Sequence, residues 1–97
     1  MKNLFEFPRA DYEVSELVLS RANVRIEKIF SPGNDTPFMT QDEDEWVSVL
    51  KGAGVLEFQD GSSVSLNEGD CLLIEKGTLH RVKQTADSTV WLCVFIK

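Results

Sequence analysis

His80 is the only histidine in the chain, and it carries the one side chain whose ordinary titration falls between pH 5 and 8. Such a group can move a proton, ligate a divalent metal through a neutral ring nitrogen, or be held by a hydrogen bond in a pocket wall with no chemical duty. Acidic residues gather at Asp42, Glu43, Asp44 and Glu45, just ahead of an apolar segment. A charge run at a loop–strand junction is usually a solvated face, so Asp42 to Asp44 are read as surface carboxylates rather than as a cation site. Cys71 and Cys93 each stand alone in an apolar run, Cys71-Leu72-Leu73-Ile74 and Trp91-Leu92-Cys93-Val94-Phe95. That setting predicts two buried structural thiols, not the close pair of a metal or redox motif.

Short strands must position these side chains. Segments 14–20, 24–30, 45–51, 54–59, 63–66, 71–74, 80–84 and 89–96 are β-rich and separated by turn signals such as Pro32-Gly33, Asn67-Glu68-Gly69-Asp70 and Lys76-Gly77. Asp60-Gly61 between two such segments predicts a tight hairpin with left-handed turn dihedrals. No segment shows a long helical period; one short helix is allowed at most, near residues 8–17. Many short strands with glycine turns and almost no helix predict an all-β fold in which a small antiparallel sheet closes on itself as a barrel.

In the segment before Gly52, side chains alternate between faces, so Gln41, Glu45, Val47 and Val49 share one side and Trp46, Ser48 and Leu50 the other. Both sides are partly apolar. The outer one therefore needs a cover, which another sheet layer, the N-terminal segment or a second subunit could supply, and with the apolar run 90–96 this predicts a homodimer. On the strand of His80, Arg81 and Lys83 alternate away from the histidine and are read as surface charges. Arg25 is a candidate anion anchor, on the opposite parity from Lys28.

The chain has 97 residues, 42% of them hydrophobic, which suits one domain over residues 1–97 with a core that needs no metal or disulfide staple. Its net charge of -6 repels phosphate backbones and anionic head groups, so neither nucleic acid nor membrane is an expected partner. Glu6 and Pro8 interrupt the start of the chain, and no apolar stretch has the length of a signal peptide or membrane span, so a cytoplasmic location is expected.

The glycine spacing resembles the cupin family, whose first motif runs G-x5-H-x-H-x3-E-x6-G and whose second runs G-x5-P-x-G-x2-H-x3-N. Gly33, Met39, Gln41, Glu45 and Gly52 keep the intervals of the first motif, and Gly69, Glu75, Gly77, His80 and Gln84 those of the second. The resemblance covers residues 33 to 84, over half the chain, with the two motifs at 33–52 and 69–84, and implies the cupin jelly roll, a double-stranded β-helix around one pocket.

In metal-binding cupins, three histidines and a glutamate from these motifs hold one divalent transition metal. The matching positions here are Met39, Gln41, Glu45 and His80, so the resemblance implies Gln41, Glu45 and His80 as metal ligands and Met39 as pocket lining. It also implies Glu45 and His80 as the acid–base pair if the protein is catalytic. An amide oxygen is a weak donor and a thioether favours soft ions, so this ligand set is reduced. Two functions follow from it: a barrel binding a small molecule with the help of a divalent metal, or a non-enzymatic sensing or interaction module with a metal-free pocket. Iron dioxygenase chemistry, which needs more strong ligands, is the least supported.

Overall fold

The computed structural model describes residues 3–7 and 10–97. Eight antiparallel strands follow one another as β1 (Val14–Arg21), β2 (Val24–Ser31), β3 (Asp44–Lys51), β4 (Ala53–Phe58), β5 (Ser63–Asn67), β6 (Cys71–Ile74), β7 (His80–Thr85) and β8 (Thr89–Ile96). They form a five-stranded sheet of order β1-β2-β8-β3-β6, packed on a three-stranded sheet of order β5-β4-β7. The short sheet is extended by segment 34–41, whose Met39 bridges His80 and whose Thr36 amide donates to the Val82 carbonyl. The fold is all-β, as expected.

The helix expected near 8–17 does not form over the described residues: Val14 to Leu17 lie in β1, and no helix long and apolar enough to cross a membrane occurs among them. Alternation and pairing decide this. Val14, Glu16 and Leu19 register with Phe30, Lys28 and Ile26 of β2, so the backbone groups on the β2 side of this edge strand find partners across the sheet rather than within a helix. Residues 8 and 9 of the expected helix lie outside the described residues.

The hairpin between β4 and β5 is a variant of the expected one. Gly61 has φ of 88°, but Asp60 keeps a negative φ and its carboxylate accepts from the Ser62 amide and hydroxyl. With the Gly61 amide donating to the Phe58 carbonyl, this is a three-residue loop ending in a glycine bulge, which needs only one left-handed residue.

Inward-facing Val47, Val49, Trp91, Cys93 and Phe95 of the long sheet meet Leu56 and Leu66 of the short one to make the core. On the outer face, the N-terminal segment covers one region of β2. Phe7 stacks on Phe30 with ring centroids 5.1 Å apart, and the buried Lys28 ammonium donates to the carbonyls of Glu6 and Asn3. A buried ammonium is tolerable only when its protons are taken up in this way. Part of the cover for that face is thus supplied by the chain itself.

Candidate functional site

The cavity of the barrel, about 130 Å³, opens between the long sheet and segment 34–41. Its polar end is built by three elements. β3 turns Glu45 inward because Glu45 shares parity with Val47 and Val49 and registers with the inward Phe95 and Ile74. β7 brings His80 from the opposite sheet, and the segment leading into β3 supplies Gln41. The three side chains converge: Gln41 Nε2 donates to Glu45 Oε1 at 2.7 Å, and His80 Nε2 lies 3.7 Å from the same oxygen. Met39 lines the mouth and is 41% exposed.

Thr78 fixes the histidine's tautomer. Its carbonyl, 2.8 Å from Nδ1, can only accept, so Nδ1 carries the proton. Nε2 then either bears a second proton shared with Glu45 or presents its lone pair to the cavity. Electrostatics favour the protonated pair. The neighbouring Glu45 carboxylate raises the His80 pKa above its ordinary value, against the opposing effect of burial, with the Thr78 carbonyl assisting. For Glu45, burial disfavours the charge, but the polar groups of His80, Gln41 and Cys93 around it together outweigh that and hold the carboxyl below its usual range.

Two site residues escaped the sequence reading. Cys93 is buried as expected, but it also lines the cavity beside Glu45. Burial, reinforced by that carboxylate, pushes its thiol pKa far up. The alternation of Trp91, Cys93 and Phe95 carried the signal that all three face inward. Glu13, ahead of β1, also lines the cavity; burial raises its pKa, opposed by a hydrogen bond from Asn34.

Two expectations are corrected. Arg25 is no anion anchor: its guanidinium lies 4.1 Å from the centroid of Phe95 and is held by both Glu27 and Glu43, which leaves it no charge to offer a ligand. Arg81, read from its parity as a surface charge, borders the cavity and is paired with Glu57 at 2.7 Å.

Cys71 is exposed rather than buried, because β6 is a sheet edge and Cys71 registers with Ser48 on the outer face. Iodoacetamide is therefore expected to alkylate Cys71 on the order of 100-fold faster than Cys93 in the native protein, the thiolate at Cys93 being both inaccessible and suppressed. Peptide mapping of a time course checks this, and equal rates would mean that the cavity wall is open to reagents.

Comparison with known proteins agrees with this architecture. The Cupin domain family model matches residues 27–95. A protein of Bacillus subtilis strain 168, "Uncharacterized protein YdbB", is 43% identical over 53 residues, 55% of this chain and 46% of that one. One from Aquifex aeolicus strain VF5 is 33% identical over 67 residues, 69% of this chain and 54% of its own. The chain thus spans about half the length of the curated relatives it matches. Among solved structures, a protein of Ralstonia eutropha JMP134 described as a candidate mannose-6-phosphate isomerase superposes with a TM-score of 0.92 at 31% identity, covering 100% of this chain and 97% of that one. An RmlC-like cupin from Desulfovibrio desulfuricans gives 0.84 at 23% identity, over 99% and 94% of the two chains, a likeness of fold alone. The eight-stranded barrel, the retained motif intervals and the family match over most of the chain together make this protein a member of the cupin domain family.

Proposed function

We propose that the protein binds a small neutral or cationic organic molecule in its barrel without a resident metal, and that Glu45 and His80 exchange a proton with that ligand. The observation that carries this reading is the convergence of Gln41, Glu45 and His80 on one end of an otherwise mainly apolar cavity. A few polar groups at the end of an apolar pocket fix a ligand's orientation, and a buried acid–base pair within reach of it can accept and return a proton.

The residues present do not fit the metal of other family members. Gln41 directs its amide N–H at Glu45, and the Met39 thioether suits only soft ions, so Glu45 and His80 remain as the strong donors. Among the described residues no three His, Cys, Asp or Glu side chains gather as a divalent ion would need. A sugar phosphate, the substrate class in the description of the Ralstonia protein, suits this cavity poorly too. At about 130 Å³ it falls below the roughly 300–1,000 Å³ usual for ligand pockets. Glu13 and Glu45 line it, while its two basic residues are already committed, His80 to Glu45 and Arg81 to Glu57. A phosphate would meet repulsion with no free cation to offset it. Binding without turnover, as in a metabolite sensor, is a second reading, favoured by the replacement of two family histidines by Met39 and Gln41.

A thermal-shift screen of small amines, alcohols and amides against phosphorylated sugars tests the reading. A ligand at 100 times its Kd should raise the melting temperature by roughly 10–20 °C, and Glu45→Gln should remove most of that shift. Zinc, manganese or nickel salts, and chelators, should change it by less than about 1 °C. Stoichiometric metal in untagged protein, with metal-dependent stabilisation lost in His80→Ala, would overturn the metal-free reading.

A further inference from the structure

We infer that Glu13 makes the cavity select an ammonium-bearing ligand, a small alkyl amine whose charged end sits at Glu13 and whose far end reaches towards Glu45 and His80. The inference deepens the metal-free binding reading above and rests on it.

Strand parity brings Glu13 to the cavity. Val14 and Glu16 register with Phe30 and Lys28, the two residues of β2 that the N-terminal segment covers on the outer face. Glu13, one residue ahead of Val14, therefore falls on the opposite face, where it lines the cavity together with Ile29 and Thr36. It is exposed where the cavity opens, within reach of an entering molecule, yet partly withdrawn from water.

Glu13 differs from the other acids around it in having no counter-charge. Four charged side chains line the cavity among the described residues: Glu13, Glu45, His80 and Arg81. His80 lies against Glu45 and Arg81 against Glu57, while Arg25 and Lys28 of the neighbouring β2 are taken up by Glu27, Glu43 and Glu16. No cation among the described residues pairs with Glu13. Its polar neighbour is Asn34, whose buried Oδ1 has no hydrogen-bond donor. This corner of the cavity thus offers acceptors without a cation, and partial burial of the carboxylate makes the missing charge costly. An ammonium group supplies both a positive charge and three N–H donors, whereas a hydroxyl brings one donor and a carboxylate only repulsion.

The remaining wall sets the body of the ligand. Ile29, Val47, Leu56, Ile74 and Val82 are aliphatic, and the Phe95 ring already carries the Arg25 guanidinium. The middle of the cavity therefore suits an alkyl chain rather than a second charge. A dry cavity of about 150 Å³ takes up benzene, so one of about 130 Å³ has room for roughly five or six non-hydrogen atoms.

Titration with n-butylamine, n-butanol and butyrate at pH 7, followed by the indole N–H resonances, tests the proposal. Trp91 lines the cavity and reports occupancy, while Trp46, on the other face of the long sheet, serves as the internal control. Butylamine, protonated at that pH, should bind about 10-fold more tightly than butanol, and butyrate more weakly than either. Glu13→Gln should bring amine and alcohol within about threefold of each other, and Glu13→Lys should turn the preference towards butyrate. Glu45→Gln should weaken amine and alcohol alike. An amine preference that survives Glu13→Gln overturns the role of Glu13. Amine and alcohol binding equally, both weakened in Glu45→Gln, would overturn the selectivity and leave the binding reading standing. A Trp91 resonance that none of the three probes moves would overturn that reading and this inference together.

Discussion

His80→Ala is expected to lower the melting temperature by roughly 10–20 °C near pH 5.5, since removing one partner of a buried ion pair costs on the order of 3 kcal/mol in a domain of this size. The remaining Gln41 hydrogen bond to Glu45 keeps the loss at the low end for such pairs. The effect should depend on pH in a defined direction. His80 has a raised pKa in the folded protein, so its stabilisation is complete below its ordinary value of 6.5 and fades as pH rises through the folded one. Glu45 is lowered from 4.5, so its stabilisation is present above that value and is lost as pH falls through the folded one. The pair is therefore worth most between about pH 4.5 and 6.5. The gap in melting temperature between wild type and His80→Ala should peak in that window and narrow on both sides, most visibly towards about pH 9, where the imidazole is neutral. Denaturation series at several pH values measure the gap, and a constant value across them would mean that the two groups do not form an ion pair.

Gly54→Ala should be the most damaging single-methyl addition in the barrel. Gly54 is buried in β4, the central strand of the short sheet, and an added Cβ would lie 2.3 Å from Trp91 Cζ2 and 2.4 Å from Cη2. Real carbon contacts do not come so close, and Trp91, itself 3% exposed and wedged among core side chains, has little room to retreat. Overpacking of this kind costs about 1–3 kcal/mol and sometimes more, or on the order of 10 °C in melting temperature. Trp91→Phe shortens the ring at the point of collision. It also removes an indole N–H that has no partner in the core, so its own cost should be moderate. The double variant should therefore be more stable than the sum of the two losses by about 1 kcal/mol or more, a coupling that residues out of contact would not show. Strict additivity in urea titrations would mean that Gly54 is not held against that ring.

The strands were legible because alternation and glycine turns are local signals. All eight are found within a residue or so of where the sequence places them. The convergence of Gln41, Glu45 and His80 was legible only through motif intervals, since it depends on β7 and β3 meeting across two sheets, and no window of sequence records such a meeting. The exposure of Cys71 and the commitment of Arg25 to Glu27 and Glu43 were hidden for the same reason. Both depend on sheet order, which places β6 at an edge and brings Glu43 back beside β2. Segment 14–17 misled because its apolar residues suit a short helix as well as a strand, and only pairing with β2 decides between them.

Segment 34–41 has a consequence for how a molecule enters the barrel. It is tied to β7 by three backbone hydrogen bonds, from Thr36 to Val82 and in both directions between Met39 and His80, with the Thr36 hydroxyl accepting from the Val82 amide. β2, in contrast, is zipped to β8 over its full length of eight residues. Asn34 and Gln41 add one bond each, to Thr85 and Gly77, so local opening of this margin is expected to cost less than global unfolding. For the ligand proposed above, admission and cooperative unfolding are then expected to be separate processes. Because one edge of the opening carries Met39 and Gln41 and the other begins at His80, each opening event also uncouples the groups that would grip the ligand. Release and loss of the binding geometry then occur in the same motion.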